Sequence, residues 1–93
     1  MTRDPVIREL CKIPNVGPSI AEDLVRLGIT SLDQLAPRDP YELYNELCLK
    51  DAVRYDPCLL DTFIAITAIA RGEPARPWWH FTPARKARLN AKG

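Results

Sequence analysis

The chain has 93 residues, of which 46% are hydrophobic and 27% are charged. At this length folding buries only roughly 60–65% of the unfolded surface, which supports one small core and excludes a two-domain enzyme with a cleft between lobes. The composition is typical of a globular protein and argues against wholesale disorder. The longest apolar stretch, residues 59–70, contains Asp61, Thr62 and Thr67 and is too short to cross a bilayer.

The net charge of +1 conceals an uneven distribution of charged residues along the chain. Residues 1–72 carry eight Lys and Arg against eleven Asp and Glu, a net charge of −3. Residues 73–93 carry five basic residues against Glu73 alone, a net charge of +4. A nucleic-acid partner is therefore compatible with the basic tail, but not with a large positive face on the body.

The three cysteines, together with the absence of an apolar run near the amino terminus, favour a cytoplasmic protein with free thiols. A zinc site formed by these cysteines and His80 is disfavoured, because the sequence has no C-x-x-C pair and the ligands would come from four separate segments. Cys11 and Cys48 fall on apolar helical faces, so all three cysteines are predicted to be small buried hydrophobes. A lowered thiol pKa is expected at Cys58 only if that residue is exposed. We expect no cofactor.

Three Asp-Pro pairs mark predicted helix starts, because aspartate caps a helix and proline is tolerated at its first position. They precede apolar spacing that is typical of helices over residues 5–12, 40–49 and 57–71. The last of these helices is apolar nearly all round. We therefore expect it at the centre, with the other helices packed over it.

Two further helices are predicted between the first and second Asp-Pro pairs. One begins at Pro18 and ends before Gly28, because helices commonly end at a residue in the left-handed conformation, which glycine adopts without strain. The other is short, over residues 32–36. It follows Ser31, which has the spacing of a capping box with Gln34 inside the helix. No segment alternates between apolar and polar residues as a strand does. The prediction is a compact all-α domain of five helices.

This domain spans residues 1–72, and residues 73–93 form a tail rich in Pro and Trp that packs on or beside it. The tail ends in a short basic helix, for which Thr82 and the proline after it are the predicted start. Its aromatic residues complete the core or form a homodimer contact; the alternative is a plug for a partner or a stacking surface for bases. Its basic residues form a solvated helix or attract a nucleic-acid backbone.

The segment Ile13-Pro14-Asn15-Val16-Gly17-Pro18-Ser19-Ile20 joins the first two helices by a tight turn. Gly17 permits a backbone geometry that a side chain would forbid, and Asn15 tolerates positive φ. The amides of residues 15, 17, 19 and 20 then lie at the positive end of a helix dipole without an intrahelical partner. These amides are predicted to bind one phosphate.

This segment resembles a helix-hairpin-helix motif, in which an apolar residue is followed by Gly–apolar–Gly and by a helix that opens with small residues. Asn15 stands where the first glycine is usual, and Ser19 stands where several members have Lys or Arg. The resemblance implies a SAM-like helical fold and hairpin amides that hold a DNA phosphate. It also implies a monovalent cation at the carbonyls of Cys11, Ile13 and Val16. The place for a second hairpin, residues 49–56, has no glycine, although Lys50 and Arg54 lie there.

Over residues 5–88 the chain is similar to small bacterial pathogenicity locus proteins of the helix-hairpin-helix type, many of which are labelled mitomycin-resistance proteins. The segments that carry this resemblance include Ala21-Glu22-Asp23-Leu24, Asp56-Pro57-Cys58-Leu59-Leu60-Asp61-Thr62-Phe63 and Arg76-Pro77-Trp78-Trp79. The family labels imply a setting in DNA damage or stress. The hairpin block and the tail also resemble the C-terminal domain of competence regulators of the TfoX type.

Two functions of different classes follow from this sequence. The first is a non-enzymatic module that contacts the DNA backbone weakly and without sequence preference, through Lys12, Asn15, Val16, Gly17, Pro18, Ser19, Ile20, Arg26, Arg85, Lys86 and Arg88. The second is a protein-interaction or homodimerisation module that uses the hairpin or the aromatic residues Trp78, Trp79 and Phe81. Catalysis is not predicted, because the sequence has no Ser-His-Asp order and no phosphate loop of the Walker type.

Overall fold

A computed structural model describes residues 5–92, with side chains described as far as residue 88, and shows an all-α fold. Its α-helices are α1 (Pro5–Leu10), α2 (Pro18–Arg26), α3 (Pro40–Asp51), α4 (Pro57–Ala70) and α5 (Thr82–Lys92). Two short 3-10 helices, Leu32–Leu35 and Trp78–Phe81, lie between them, and residues 5–92 contain no strand. None of the helices in this part of the chain is long and apolar enough to span a membrane.

The Asp-Pro pairs begin α3 and α4 as predicted. The Asp39 carboxylate accepts a hydrogen bond from the amide of Tyr41 at 2.9 Å, and Asp56 accepts one from the amide of Cys58 at 2.8 Å. Each aspartate thereby satisfies one of the amides that have no partner inside the helix. Asp4, the predicted cap of α1, lies outside the described residues.

The short helix after α2 differs from its prediction. It is a 3-10 helix, and its N-cap residue Ser31 makes no side-chain capping bond. The Gln34 side chain instead accepts hydrogen bonds from the amide of Thr30 at 2.6 Å and from its hydroxyl at 3.2 Å. The predicted capping box is therefore wrong by one residue, because the glutamine reaches past Ser31.

The central position predicted for the apolar helix is confirmed in α4. Eight of its fourteen residues are buried, and α3, α5 and both 3-10 helices pack on it, while α1 packs on α2. The buried side chains form one continuous core, which includes Leu10, Leu24, Leu35, Leu43, Leu47, Phe63 and Ile66. This core fixes α1 and α2 as one unit, so the turn between them is held by packing on both sides.

A buried ion pair attaches α5 to α4. Asp61 is fully buried, and its two carboxylate oxygens accept hydrogen bonds from Nε and Nη2 of Arg85 at 2.9 and 3.0 Å. The hydroxyl of Thr82 donates a third bond to this carboxylate at 2.6 Å. The hydrogen bonds to Asp61 raise the pKa of the Arg85 guanidinium further above neutrality. Arg85, expected on the surface facing DNA, is instead 7% exposed and holds the tail on the body.

Candidate nucleic-acid interface

The turn between α1 and α2 is closed by its own backbone. The amide of Ile13 donates to the carbonyl of Leu10, and the amide of Val16 donates to the carbonyl of Ile13, each at 3.0 Å. Both Ile13 and Val16 bury their side chains in the core, with 8% of each exposed. Val16 thus anchors the turn and has no free donor, and the carbonyl of Ile13 already accepts one hydrogen bond.

Four amides near the start of α2 remain without an acceptor. In the described part of the chain no hydrogen-bond acceptor meets the N–H groups of Asn15, Gly17, Ser19 and Ile20. Pro18, the first residue of the helix, has no N–H at all. The dipole of the nine-residue helix adds partial positive charge at this end. Within six residues the turn therefore presents four hydrogen-bond donors that favour an anion.

The backbone geometry of the turn corrects the role expected of Gly17. Gly17 is extended, with φ −103° and ψ −177°, a conformation open to any residue. Asn15, with φ 76°, is the residue in the left-handed region. A Cβ atom placed on Gly17 would meet no heavy atom within 4 Å beyond its immediate neighbours. Gly17 thus has open space at the position of a side chain, and its conformation is not one that a side chain forbids.

The Asn15 side chain fastens the tail to the turn, which sequence reasoning missed. Its Nδ2 donates to the carbonyl of Arg76 at 2.7 Å, and its Oδ1 accepts from the amide of Trp78 at 3.1 Å. An amide side chain is suited to this task because it offers a donor and an acceptor together. The available signal was an asparagine at a position where the hairpin pattern has glycine.

Replacing Asn15 with glycine is expected to lower the free energy of unfolding by about 2 kcal/mol, because two side-chain hydrogen bonds to the tail are lost. Glycine keeps the positive φ without strain, so the effect isolates the side chain. Asn15→Asp keeps the acceptor for the Trp78 amide but sets a carboxylate oxygen against the Arg76 carbonyl, so this control should lose about as much stability as Asn15→Gly. Urea unfolding followed by tryptophan fluorescence measures both. Equal stability of Asn15→Gly and the native chain would contradict this role.

The two basic residues predicted to assist at the turn, Lys12 and Arg26, lie apart: Lys12 follows α1, and Arg26 ends α2. Lys12 is exposed and pairs with Glu9 at 3.1 Å, a surface ion pair of little energetic value that leaves the lysine available. Arg26 lies at the other end of α2, about 12 Å along the helix axis from its start. It pairs with Asp51 and, at 3.4 Å, with Asp23. Lys12 is thus the predicted cation nearest to the free amides in sequence.

The tail cations separate into different environments. Arg85 is buried against Asp61 and is removed from the candidate interface. The Arg88 guanidinium lies 3.7 Å from the centre of the Tyr41 ring, in a groove whose lining includes no residue of the turn. Lys86 is exposed. Of the three tail residues predicted to assist at DNA, Lys86 alone is exposed and forms neither an ion pair nor a ring contact with the described residues.

The aromatic residues of the tail differ in how far their side chains are exposed to solvent. The 3-10 helix Trp78–Phe81 packs on α4, and both its first and its last residue are half-buried. Trp79 is 61% exposed and meets the edge of Trp78, with ring centres 5.5 Å apart. Completion of the core is therefore wrong for Trp79, whose indole faces solvent. Trp78 and Phe81 are half-buried on α4 but do not belong to the buried core.

The cysteines are half-buried and free, so the prediction of full burial is wrong. The hydrogen bond with Asp56 and partial burial raise the pKa of the Cys58 thiol. The condition for a lowered value, an exposed Cys58, is not met, and the neighbouring carboxylate disfavours the thiolate. Among the residues whose side chains are described, no group of three or more His, Cys, Asp or Glu could hold a metal ion.

The sequence was compared with known proteins. A protein family described as pathogenicity locus matches residues 3–87. The mitomycin resistance protein McrB of Streptomyces lavendulae is 48% identical over 85 residues, which are 91% of this chain and 81% of that protein. No solved structure matches significantly. The likeness to the TfoX-type C-terminal domain stays a prediction.

Proposed function

The chain belongs to the pathogenicity locus family, and from this premise we propose that it is a non-enzymatic, cytoplasmic module that contacts the DNA backbone. The contact is weak and independent of base sequence. The similar protein from Streptomyces lavendulae is named for mitomycin resistance, and we extend the proposal to a setting in DNA damage or stress.

The observation that carries this proposal is the set of four unpaired amides at the start of α2. A phosphate oxygen accepts hydrogen bonds from such amides without needing a charged side chain. The open space beside Gly17 allows a polymer backbone to approach closely. Backbone amides that contact phosphate cannot read base edges, so the binding carries no sequence preference.

The charges of the body argue for low affinity. Residues 1–72 have a net charge of −3, and Arg26 and Arg85 are paired with carboxylates. Lys12 and Lys86 are then the remaining candidates for phosphate contacts among the basic residues expected to assist. Binding that rests on so few cations releases few counterions and depends only moderately on salt.

A fluorescence-anisotropy titration tests the proposal, with labelled duplex and single-stranded DNA at 50 and 200 mM salt. With about two phosphates neutralised, the affinity is expected to fall by about tenfold between these concentrations. Duplexes of different sequence should bind alike. A flat titration at both salt concentrations, with the folded state verified by circular dichroism, would contradict DNA binding.

The exposed indole of Trp79 favours a second candidate function, a homodimer or partner contact. An aromatic side chain that is 61% exposed contributes little to its own domain but is typical of interface anchors. Under this alternative, sedimentation velocity at several concentrations shows a dimer, and Trp79→Ala abolishes it. We expect Trp79→Ala to change the free energy of unfolding by less than about 0.5 kcal/mol, because the residue is on the surface. A loss of stability several times larger would place the indole in the fold rather than at an interface.

A further inference from the structure

An open groove lies beside α3 and the start of α4, away from the turn between α1 and α2. Its volume is about 890 Å³, and the loop after α3 and one residue of α5 complete its lining. Leu49 and Val53 are part of this lining, although 81% of the leucine and 50% of the valine are exposed. The buried Leu60 and the ring of Tyr44 also contribute to it. Two large aliphatic side chains in the open, next to further apolar surface, mark a binding site for another apolar surface.

The polar part of the groove has one sign of charge. Arg54 and Arg88 belong to the lining, which includes no carboxylate among the described residues. Three carboxylates near the groove in sequence have other partners: Asp51 bonds Arg26 and the Tyr55 hydroxyl, Asp56 caps α4, and Glu46 pairs with Arg38. In a body with a net charge of −3, the groove is thus lined by two arginines that form no ion pair with a described carboxylate.

The arginines are suited to carboxylates in particular. The Arg88 guanidinium is stacked on the face of Tyr41 at 3.7 Å, which restricts its orientation. Stacking leaves the in-plane N–H groups of a guanidinium able to donate to both oxygens of one carboxylate. Arg54 makes no ion pair with any described carboxylate and is exposed.

We propose that this groove binds an acidic amphipathic helix of a partner protein. Aliphatic side chains of that helix, spaced three and four residues apart, pack against Leu49 and Val53. Carboxylates on its flank pair with Arg54 and Arg88. This is the helix-in-groove mode of recognition, in which apolar anchors supply affinity and the charges select the partner. The proposal does not depend on DNA binding, since the groove shares no residue with the turn between α1 and α2.

Two other occupants fit the groove less well. A second copy related by a two-fold axis would bring the same patch to itself and set Arg54 and Arg88 against their counterparts, at a cost in charge repulsion. A nucleic-acid backbone would use the arginines but would leave Leu49 and Val53 without apolar partners. The combination of aliphatic and cationic groups therefore favours an acidic helix.

The test is a selection of random 16-residue peptides displayed on phage against the full chain. The recovered peptides are expected to combine Leu, Ile or Phe at helical spacing with an excess of Asp and Glu. The tightest of them is then synthesised with a fluorescent label. Leu49→Asp and Arg54→Glu are each expected to weaken its binding by about tenfold or more, as at anchor positions of an interface.

Lys50→Glu is the matched control, because it makes the same charge change next to the groove at an exposed residue that does not line it. It should change the affinity by about threefold at most, since a charge outside the contact acts mainly at long range. Gly17→Asp should leave peptide binding unchanged, which separates this proposal from DNA binding. Circular dichroism verifies that each variant is folded.

Several results would overturn the proposal. One is recovery of basic or neutral peptides, or of none; another is peptide binding that Leu49→Asp does not weaken. A concentration-dependent dimer abolished by Leu49→Asp would assign the groove to a second copy. DNA binding that is lost in Arg54→Glu and kept in Leu49→Asp would assign the arginines to a nucleic-acid backbone.

Discussion

Replacing Arg85 with methionine is expected to lower the free energy of unfolding by about 3 kcal/mol or more, because it leaves the carboxylate of Asp61 buried without its cation. Asp61 is fully buried, and Thr82 would remain as its one side-chain donor among the described residues. For a domain of this size, such a loss lowers Tm by about 15 °C. Thermal unfolding followed by circular dichroism measures the change.

Arg88→Met is the matched control for this prediction. It makes the same substitution one helical turn later in α5, at an exposed arginine that stacks on Tyr41 and has no buried carboxylate to neutralise. We expect it to cost about 1 kcal/mol or less. If the two variants lost the same stability, the buried pair would not be what holds the tail to α4.

The double variant Asp61→Leu with Arg85→Met extends the same test. Removing both charges leaves neither group unpaired and replaces the pair with apolar side chains. The double variant should therefore be more stable than Arg85→Met alone, even though it carries an additional substitution. A simple sum of the two single losses would indicate that Asp61 and Arg85 act independently.

Much of the fold was predictable because its signals are local. Asp39 and Asp56 cap helices through amides two residues away, and Asn15 takes positive φ within a single residue. The order of the helices and the central place of α4 follow from apolar spacing over short windows. The free amides of Ser19 and Ile20 were predictable for the same reason, since a glycine at the N-cap has no side chain to accept their hydrogen bonds.

The contacts that hold the tail were not predictable in the same way. Asp61 and Arg85 are 24 residues apart, and Asn15 and Trp78 are 63 apart, so no periodic pattern connects them. A lone carboxylate in an apolar helix does require a buried partner, and that signal was present at Asp61. The tail offers several basic residues, however. Only the path of the tail across α4 determines that Arg85 is the residue that reaches Asp61.

The same dependence on the path of the tail explains the aromatic residues. Trp78 and Trp79 are adjacent and chemically identical, so sequence alone gives no reason to bury one and expose the other. The hydrogen bond from the Trp78 amide to Asn15 fixes the start of the 3-10 helix and thereby its rotation on α4. Trp78 then turns towards the body and Trp79 towards solvent.

Replacing Gly17 with aspartate is expected to raise stability and to weaken DNA binding. Gly17 is the N-cap of α2, and an aspartate there can accept hydrogen bonds from the amides of Ser19 and Ile20. The cap and its interaction with the helix dipole should add about 0.5 kcal/mol to the free energy of unfolding. The extended φ and the open space at this position accommodate the side chain without strain.

The same carboxylate would occupy the amides proposed to hold phosphate, and its charge would repel the DNA backbone. Affinity in the anisotropy titration should fall by about tenfold or more, since the substitution removes the donors and adds repulsion at the contact. Leu49→Asp is the control, because it adds the same charge at an exposed residue of the groove beside α3, which shares no residue with the turn. It should weaken binding far less, since salt screens charges separated by more than about 8 Å. Since the variant is stabilised, a loss of DNA binding cannot be explained by unfolding. If Gly17→Asp instead bound DNA as tightly as the native chain does, the contact would have to lie away from these amides.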